Sequence, residues 1–128
     1  MTATPAVSVT LDLLAATPPY EQVRAQLAGH IRAGALQPGD KLPVVRALAA
    51  DLGVATNTVA RAYRELEAGG LVTTRRRVGT IVQAGSGSEV EPALLAQAKA
   101  FARSARVAGL SDDETIDLVR GALSASGG

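Results

Sequence analysis

Three aromatic rings, Tyr20, Tyr63 and Phe101, are all that this chain of 128 residues can offer to a core, and it contains neither tryptophan nor cysteine. No disulfide, thiolate metal site or cysteine nucleophile can be built from it. The core must therefore be aliphatic and compact. Such a core suits short helices that approach closely through Ala and Leu better than it suits a sandwich of two sheets. The length leaves room for one ordinary domain and an appendage. No run of about 18 apolar residues exists that could span a bilayer, and the N-terminus lacks the basic region and apolar stretch of an export signal.

The net charge is only +1, but it is unevenly spread: residues 20–83 hold nine Lys/Arg against five Asp/Glu, and residues 84–128 hold four against six. A locally basic segment beside an acidic tail fits contact with a polyanion by one part of the chain only.

Apolar periodicity divides the chain further. Val7, Val9 and Leu11 alternate, which predicts one short strand before the break at Thr17, Pro18 and Pro19. From Tyr20 to Ala33 the set Tyr20, Val23, Leu27 and Ile31 marks one stripe of a helix. Pro38, Gly39 and Asp40 form a turn, and Pro43 suits the first turn of a second, short helix that turns Val45, Leu48, Ala49 and Leu52 inward and stops at Gly53. A third helix, capped by Thr56 or a neighbour, buries Val59, Ala62, Tyr63 and Leu66 and ends at Gly69 and Gly70. Leu71 to Thr74 and Thr80 to Gln83 read as the strands of a hairpin whose tip holds Arg75, Arg76, Arg77, Val78 and Gly79. The Gly/Ser stretch at 84–88 reads as a flexible joint. Beyond it Leu94, Leu95, Ala98, Phe101 and Ala102 keep helical spacing, Gly109 interrupts, and Ser111 with Glu114 forms a capping box for a last helix carrying Ile116, Val119 and Leu123.

Two short helices joined through a glycine turn, the second polar on its outward face, make a helix-turn-helix. An α-helix fits the major groove, and side chains near its N-terminal end reach base edges. The informative positions are Ala55, Thr56, Asn57, Thr58, Arg61 and Arg64. Asn pairs with adenine, Thr touches a thymine methyl or donates a hydrogen bond, and Arg grips guanine or phosphate. Thr56, Asn57 and Thr58 would serve equally as helix-capping residues if taken one at a time. An arginine-rich hairpin directly after the helices gives them a second reason, as a wing that touches phosphates or the minor groove.

From Pro19 to Val82 the residues resemble the GntR-type regulators. The resemblance rests on Pro19-Tyr20-Glu21-Gln22-Val23, on Leu36-Gln37-Pro38-Gly39-Asp40-Lys41-Leu42-Pro43 and on Leu48-Ala49-Ala50-Asp51-Leu52-Gly53-Val54. It continues in Asn57-Thr58-Val59, Tyr63-Arg64-Glu65-Leu66-Glu67, Gly70-Leu71-Val72 and Gly79-Thr80. It implies that Arg46 contacts DNA from the second helix and that Asn57, Thr58 and the wing around Gly79 do so as well. Many members carry arginine where this chain has Thr56 and Ala60, and a Ser-Glu pair where it has Val44 and Val45. The resemblance therefore implies an operator of different sequence.

About forty residues follow the joint, too few for a ligand domain with its own enclosed pocket but enough for two helices. In this the chain resembles the YtrA-type subfamily, whose short C-terminal helices pair two copies. Leu94, Leu95, Phe101, Ile116 and Val119 are the expected dimerisation residues. The expected architecture is mainly α with a small β hairpin. A winged helix-turn-helix occupies residues 1–83 with its core at 19–83, and a helical dimerisation segment occupies 89–128.

The expected function is that of a repressor binding an inverted-repeat operator as a homodimer, in the cytoplasm and on the nucleoid when bound to DNA. An enzyme is disfavoured: His30 is the one histidine, with no second ligand at metal spacing, and Asp112, Asp113 and Glu114 fit a helix N-terminus better than a cation. No cofactor or metal is expected. A winged helix that binds only proteins would show apolar anchors on the outward face of its third helix, where this chain has polar ones. A small-molecule effector could sit between the domains without leaving a motif.

Overall fold

The computed structural model describes residues 8–83 and 90–126. Its elements are α1 (Pro19–Arg32), α2 (Val45–Leu52), α3 (Thr56–Ala68), β1 (Val72–Arg75), β2 (Gly79–Val82), α4 (Pro92–Val107) and α5 (Asp112–Ser126). They fall into two compact units, Met1–Val90 and Glu91–Gly128. The expected joint at 84–88 lies outside the described residues.

In the first unit the stripes expected on two helices are buried. α1 buries Val23, Leu27, Ala28 and Ile31, and α3 buries Val59, Ala62, Tyr63 and Leu66. They share one core with Leu36, Leu42, Leu48, Ala49, Leu71, Val72 and Val82. Tyr63 is the one ring in it. Its hydroxyl donates to the Pro43 carbonyl oxygen at 2.6 Å, and burial pushes its phenol well above the usual tyrosine range. Tyr20, expected in the α1 stripe, is only half-buried.

Two helix boundaries differ from expectation. Pro43 lies ahead of α2, whose N-cap is Val44, and Thr56 is the first residue of α3, whose N-cap Ala55 supplies no side-chain bond. Gly53 does end α2 in the left-handed region, at φ 71°. There its N–H meets the Ala50 carbonyl and the Val54 N–H meets that of Ala49. A side chain in this conformation would be strained.

The hairpin pairs antiparallel with Val72 opposite Val82 and Arg75 opposite Gly79. Its free edge is filled by a segment the periodicity did not reveal. Lys41 bridges Ile81, Gly39 N–H donates to Val82 O at 2.9 Å, Val82 N–H to Asp40 O at 2.8 Å, and Leu42 N–H to Thr80 O at 2.9 Å. The sheet is thereby stitched to the loop that precedes α2.

The strand expected from Val7, Val9 and Leu11 does not form among the described residues, and Val7 lies outside them. The alternation is nevertheless real. Val9 and Leu11 pack against the core, while the backbone between them is held by side chains of α1. The Gln26 amide accepts from Thr10 N–H at 2.9 Å and donates to Thr10 O at 2.6 Å; the Gln22 amide does the same for Asp12 at 2.8 and 2.9 Å. His30 Nε2 meets Ser8 O at 2.8 Å. Four helical residues rise about 6.0 Å and two strand residues about 6.6 Å, so positions 22, 26 and 30 meet alternate residues of an extended arm. Glutamine side chains stand where a neighbouring strand would.

In the second unit α4 and α5 join through Gly109, at φ 90°. The capping box forms as expected: Ser111 N–H donates to Glu114 Oε1 at 2.8 Å and Glu114 N–H to Ser111 Oγ at 3.1 Å. Those bonds from Ser111 hold the Glu114 carboxyl below its ordinary value.

Replacing Gln26 with Ala should detach the arm while leaving the core folded. Hydrogen exchange at the Thr10 amide is expected to rise at least about tenfold, with a global loss of about 1 kcal/mol or less for these solvent-exposed bonds. Unchanged protection would mean that Val9 and Leu11 alone hold the arm in place.

Candidate nucleic-acid interface

The buried stripe of α3 fixes which side of that helix is free. With Val59, Ala62, Tyr63 and Leu66 turned inward, Thr56, Asn57, Arg61 and Arg64 are exposed and Thr58 is half-buried. Ala55, just ahead of the helix, is also exposed, as is Arg46 in the first turn of α2. The left-handed turn at Gly53 sets the two helices, so the start of α3 and the start of α2 belong to one rigid piece.

Among the described residues, Arg46, Arg61, Arg64, Arg75, Arg76 and Arg77 form no ion pair with a carboxylate. Six guanidinium groups thus keep their charge unneutralised within the unit. Arg24, by contrast, is committed to Glu21, its Nε and Nη2 each donating at 2.7 Å. That pairing holds the Glu21 carboxyl below its ordinary value. Arg61 has a different partner: its Cζ lies 3.7 Å from the centroid of the Tyr20 ring. The sequence offered no sign of this stack, since Tyr20 and Arg61 lie on different helices.

The wing is a tight hairpin. Val78 N–H closes its turn on Arg75 O at 3.1 Å, and Arg77 takes a left-handed φ of 66°. Such a conformation costs a non-glycine residue about 1 kcal/mol or more, and Arg77 adopts it in the exposed turn of the hairpin. Arg75 belongs to β1, and Arg76 and Arg77 to the turn. Gly79 is the first residue of β2.

Glu67 ties the wing to α3: one carboxylate oxygen accepts from Thr74 N–H at 3.0 Å and the other from Thr74 Oγ1 at 3.3 Å. No such brace is assigned to Glu67 from the sequence. A glutamate seven residues before a strand threonine carries no signal without the fold.

In the second unit Ala105 is buried, and the large apolar residues lie open. Leu94 is 57% exposed, with Phe101, Ile116 and Val119 also exposed, and Leu95 is half-buried. Phe101, Leu118, Val119, Ala122, Leu123 and Ser126 line one concavity of about 390 Å³. Leu123, already expected in the stripe of the last helix, and Leu118, which was not, thus share this open face with Phe101 and Val119. The acidic start of α5 is engaged locally, Asp112 facing Arg106 at 3.6 Å and Glu114 bonded to Ser111. Among the described residues no cluster of His, Asp and Glu could hold a metal ion, and no helix is long and apolar enough to cross a membrane.

Residues 19–82 match the profile of the family described as bacterial regulatory proteins, gntR family. The HTH-type transcriptional regulator Rv1152 of Mycobacterium tuberculosis is 46% identical over 109 residues, covering 83% of this chain and 86% of its own length. The HTH-type transcriptional repressor YtrA of Bacillus subtilis is 42% identical over 74 residues, covering 58% of this chain and 57% of its own. Among solved structures, the DNA-binding domain of AraR in complex with operator ORX1 is similar with a TM-score of 0.53 and 26% identity, over 59% of this chain and 95% of that one.

Removing the brace should loosen the wing without unfolding the unit. Glu67→Ala is expected to speed hydrogen exchange at Thr74 and to cost about 1 kcal/mol of stability, measured by chemical denaturation. A wing as protected as before would show that strand pairing alone sets its angle.

Proposed function

The chain belongs to the GntR family of bacterial regulatory proteins, DNA-binding transcription regulators and not enzymes, and from that premise we propose that it is a repressor that occupies an inverted-repeat operator as a homodimer. The observation that carries the reading is the set of six arginines without ion pairs around a polar helix face. A polyanion satisfies that charge, and double-stranded DNA also fits the helix. The first turn of α3 enters the major groove, where Asn57 and Thr58, with Thr56 and the Ala55 methyl beside them, meet base edges. Arg46, Arg64, Arg75, Arg76, Arg77 and the backbone at Gly79 meet phosphate or the minor groove. AraR, similar over this unit, is seen on its operator, and the Bacillus YtrA, 42% identical over 74 residues, is named a repressor. A repressor needs nothing beyond occupancy of the promoter. The cytoplasm is its place of action.

The second unit supports the reading of a second copy. A hairpin of two helices that, among its described residues, buries only Ala105 has almost no core of its own, and isolated helices of about fifteen residues are marginal in water. Two such hairpins facing each other would bury Leu94, Leu95, Phe101, Ile116, Leu118, Val119 and Leu123 in a four-helix bundle. The resulting dimer carries two recognition helices that can enter successive major grooves about 34 Å apart, which demands a two-fold symmetric site.

Selection of bound sequences from a random DNA pool should enrich an inverted repeat, and affinity should fall steeply with salt as counterions are released. Asn57→Ala should cost about 1–3 kcal/mol at one base position of each half-site, whereas Arg76→Ala should weaken all sequences alike. Leu123→Glu should shift the dimer toward monomer in sedimentation. A folded protein that enriches no sequence would instead favour a winged helix that binds proteins.

A further inference from the structure

On α3 the residues Asn57, Arg61 and Arg64 follow the spacing of a single outward ridge. A side chain on a helix leans toward the N-terminus, so an unrestrained Arg61 would lie over Asn57 and share in reading bases. In the structure its guanidinium is drawn sideways onto α1, with Cζ 3.7 Å from the centroid of the Tyr20 ring. We propose that Tyr20 is a positioning residue of the DNA interface, holding Arg61 at the flank of α3, where it grips a backbone phosphate and not a base edge. The inference rests on the reading of α3 as the helix that enters the major groove.

Three observations bear on it. A helix lying in the groove has base edges beneath its ridge and phosphates along its two walls, so a guanidinium tied to a neighbouring helix faces a wall. An aromatic face attracts the cation without neutralising it, and among the described residues no carboxylate takes the Arg61 donors. The acid nearest in sequence to Tyr20, Glu21, is paired with Arg24, which donates to each of its oxygens at 2.7 Å, so its charge is largely matched within α1 and it forms no bond to Arg61. The Tyr20 N–H, in the uncapped first turn of α1, also has no acceptor among the described residues.

The test compares the wild type with Arg61→Ala, Tyr20→Leu, Tyr20→Phe and the Tyr20→Leu/Arg61→Ala double variant. Each is titrated on the selected duplex and on a random duplex across salt concentrations, with folding checked by thermal denaturation. Leucine keeps the bulk of Tyr20 and removes the ring face; phenylalanine keeps the face. Arg61→Ala should weaken binding to both duplexes by the same factor and reduce the salt slope by about one. Tyr20→Leu should do the same by a smaller factor, Tyr20→Phe should match the wild type, and the double variant should be no worse than Arg61→Ala. Loss confined to the selected duplex in Arg61→Ala would make Arg61 a base reader and overturn the proposal. So would independent, multiplying losses in the double variant, or a Phe variant as impaired as the Leu one. Should Tyr20→Leu fail to fold, Tyr20→Met takes its place as the variant without a ring face, and Arg61→Ala alone can still overturn the phosphate contact. A wild type that binds no DNA sinks the DNA reading itself, whereas a wild type that binds while all variants match it sinks this proposal alone.

Discussion

The buried stripe of α3 has α1 on one side, α2 on another and the first strand of the wing at its end. Val59, Ala62, Tyr63 and Leu66 serve all three contacts. With a core this poor in large rings, there is little redundancy: Val59 and Ala62 are completely buried, and Tyr63 adds a polar tie through its hydroxyl to the carbonyl of Pro43. That one bond sets the loop entering α2 against the middle of α3. Since the inward side of α3 is fully committed to packing, the opposite side can be wholly polar without loss to the fold. The proposed binding chemistry and the folding chemistry thus occupy different faces of the same thirteen residues.

Charge follows a similar division. Where an arginine serves the fold it has a carboxylate partner, as Arg24 has Glu21. At the free face and the wing the arginines have none. Surface ion pairs contribute little to stability, so leaving these groups unpaired costs the fold little and keeps them available. The strained φ of Arg77 and the brace from Glu67 to Thr74 indicate that the wing tip is held in a set position relative to α3.

Much of this was legible in the sequence because it depends on period and local chemistry. The α1 stripe from Val23 to Ile31, the α3 stripe, the stop at Gly53 and the Ser111–Glu114 box are each set by residues a turn or less apart. The misses are of another kind. The strand edge at Lys41 is too short for any period to show, and it exists only because the hairpin returns beside it. Pro43 was read as the start of α2, but it stands two residues earlier, where its carbonyl is needed by Tyr63. The stack of Arg61 on Tyr20 and the brace at Glu67 join residues on different elements, and their side chains alone say nothing of the partner. The alternation of Val7, Val9 and Leu11 points to a short strand; Val9 and Leu11 do pack on the core, but no strand forms among the described residues, because the partners of this backbone are side chains of α1.

That arm also determines where anything attached ahead of it emerges. It runs antiparallel to α1, from His30 back to Gln22, so Ser8 is delivered to the end of the helix remote from Tyr20 and Arg61. The separation along the helix axis from Tyr20 to His30 is about 15 Å. The clasp is made to main-chain atoms of Thr10 and Asp12, so it is indifferent to side-chain identity at those positions. A dye, an affinity handle or a fused domain placed upstream of Ser8 would therefore leave from the C-terminal end of α1, which makes this end the natural point for tethering the protein to a surface.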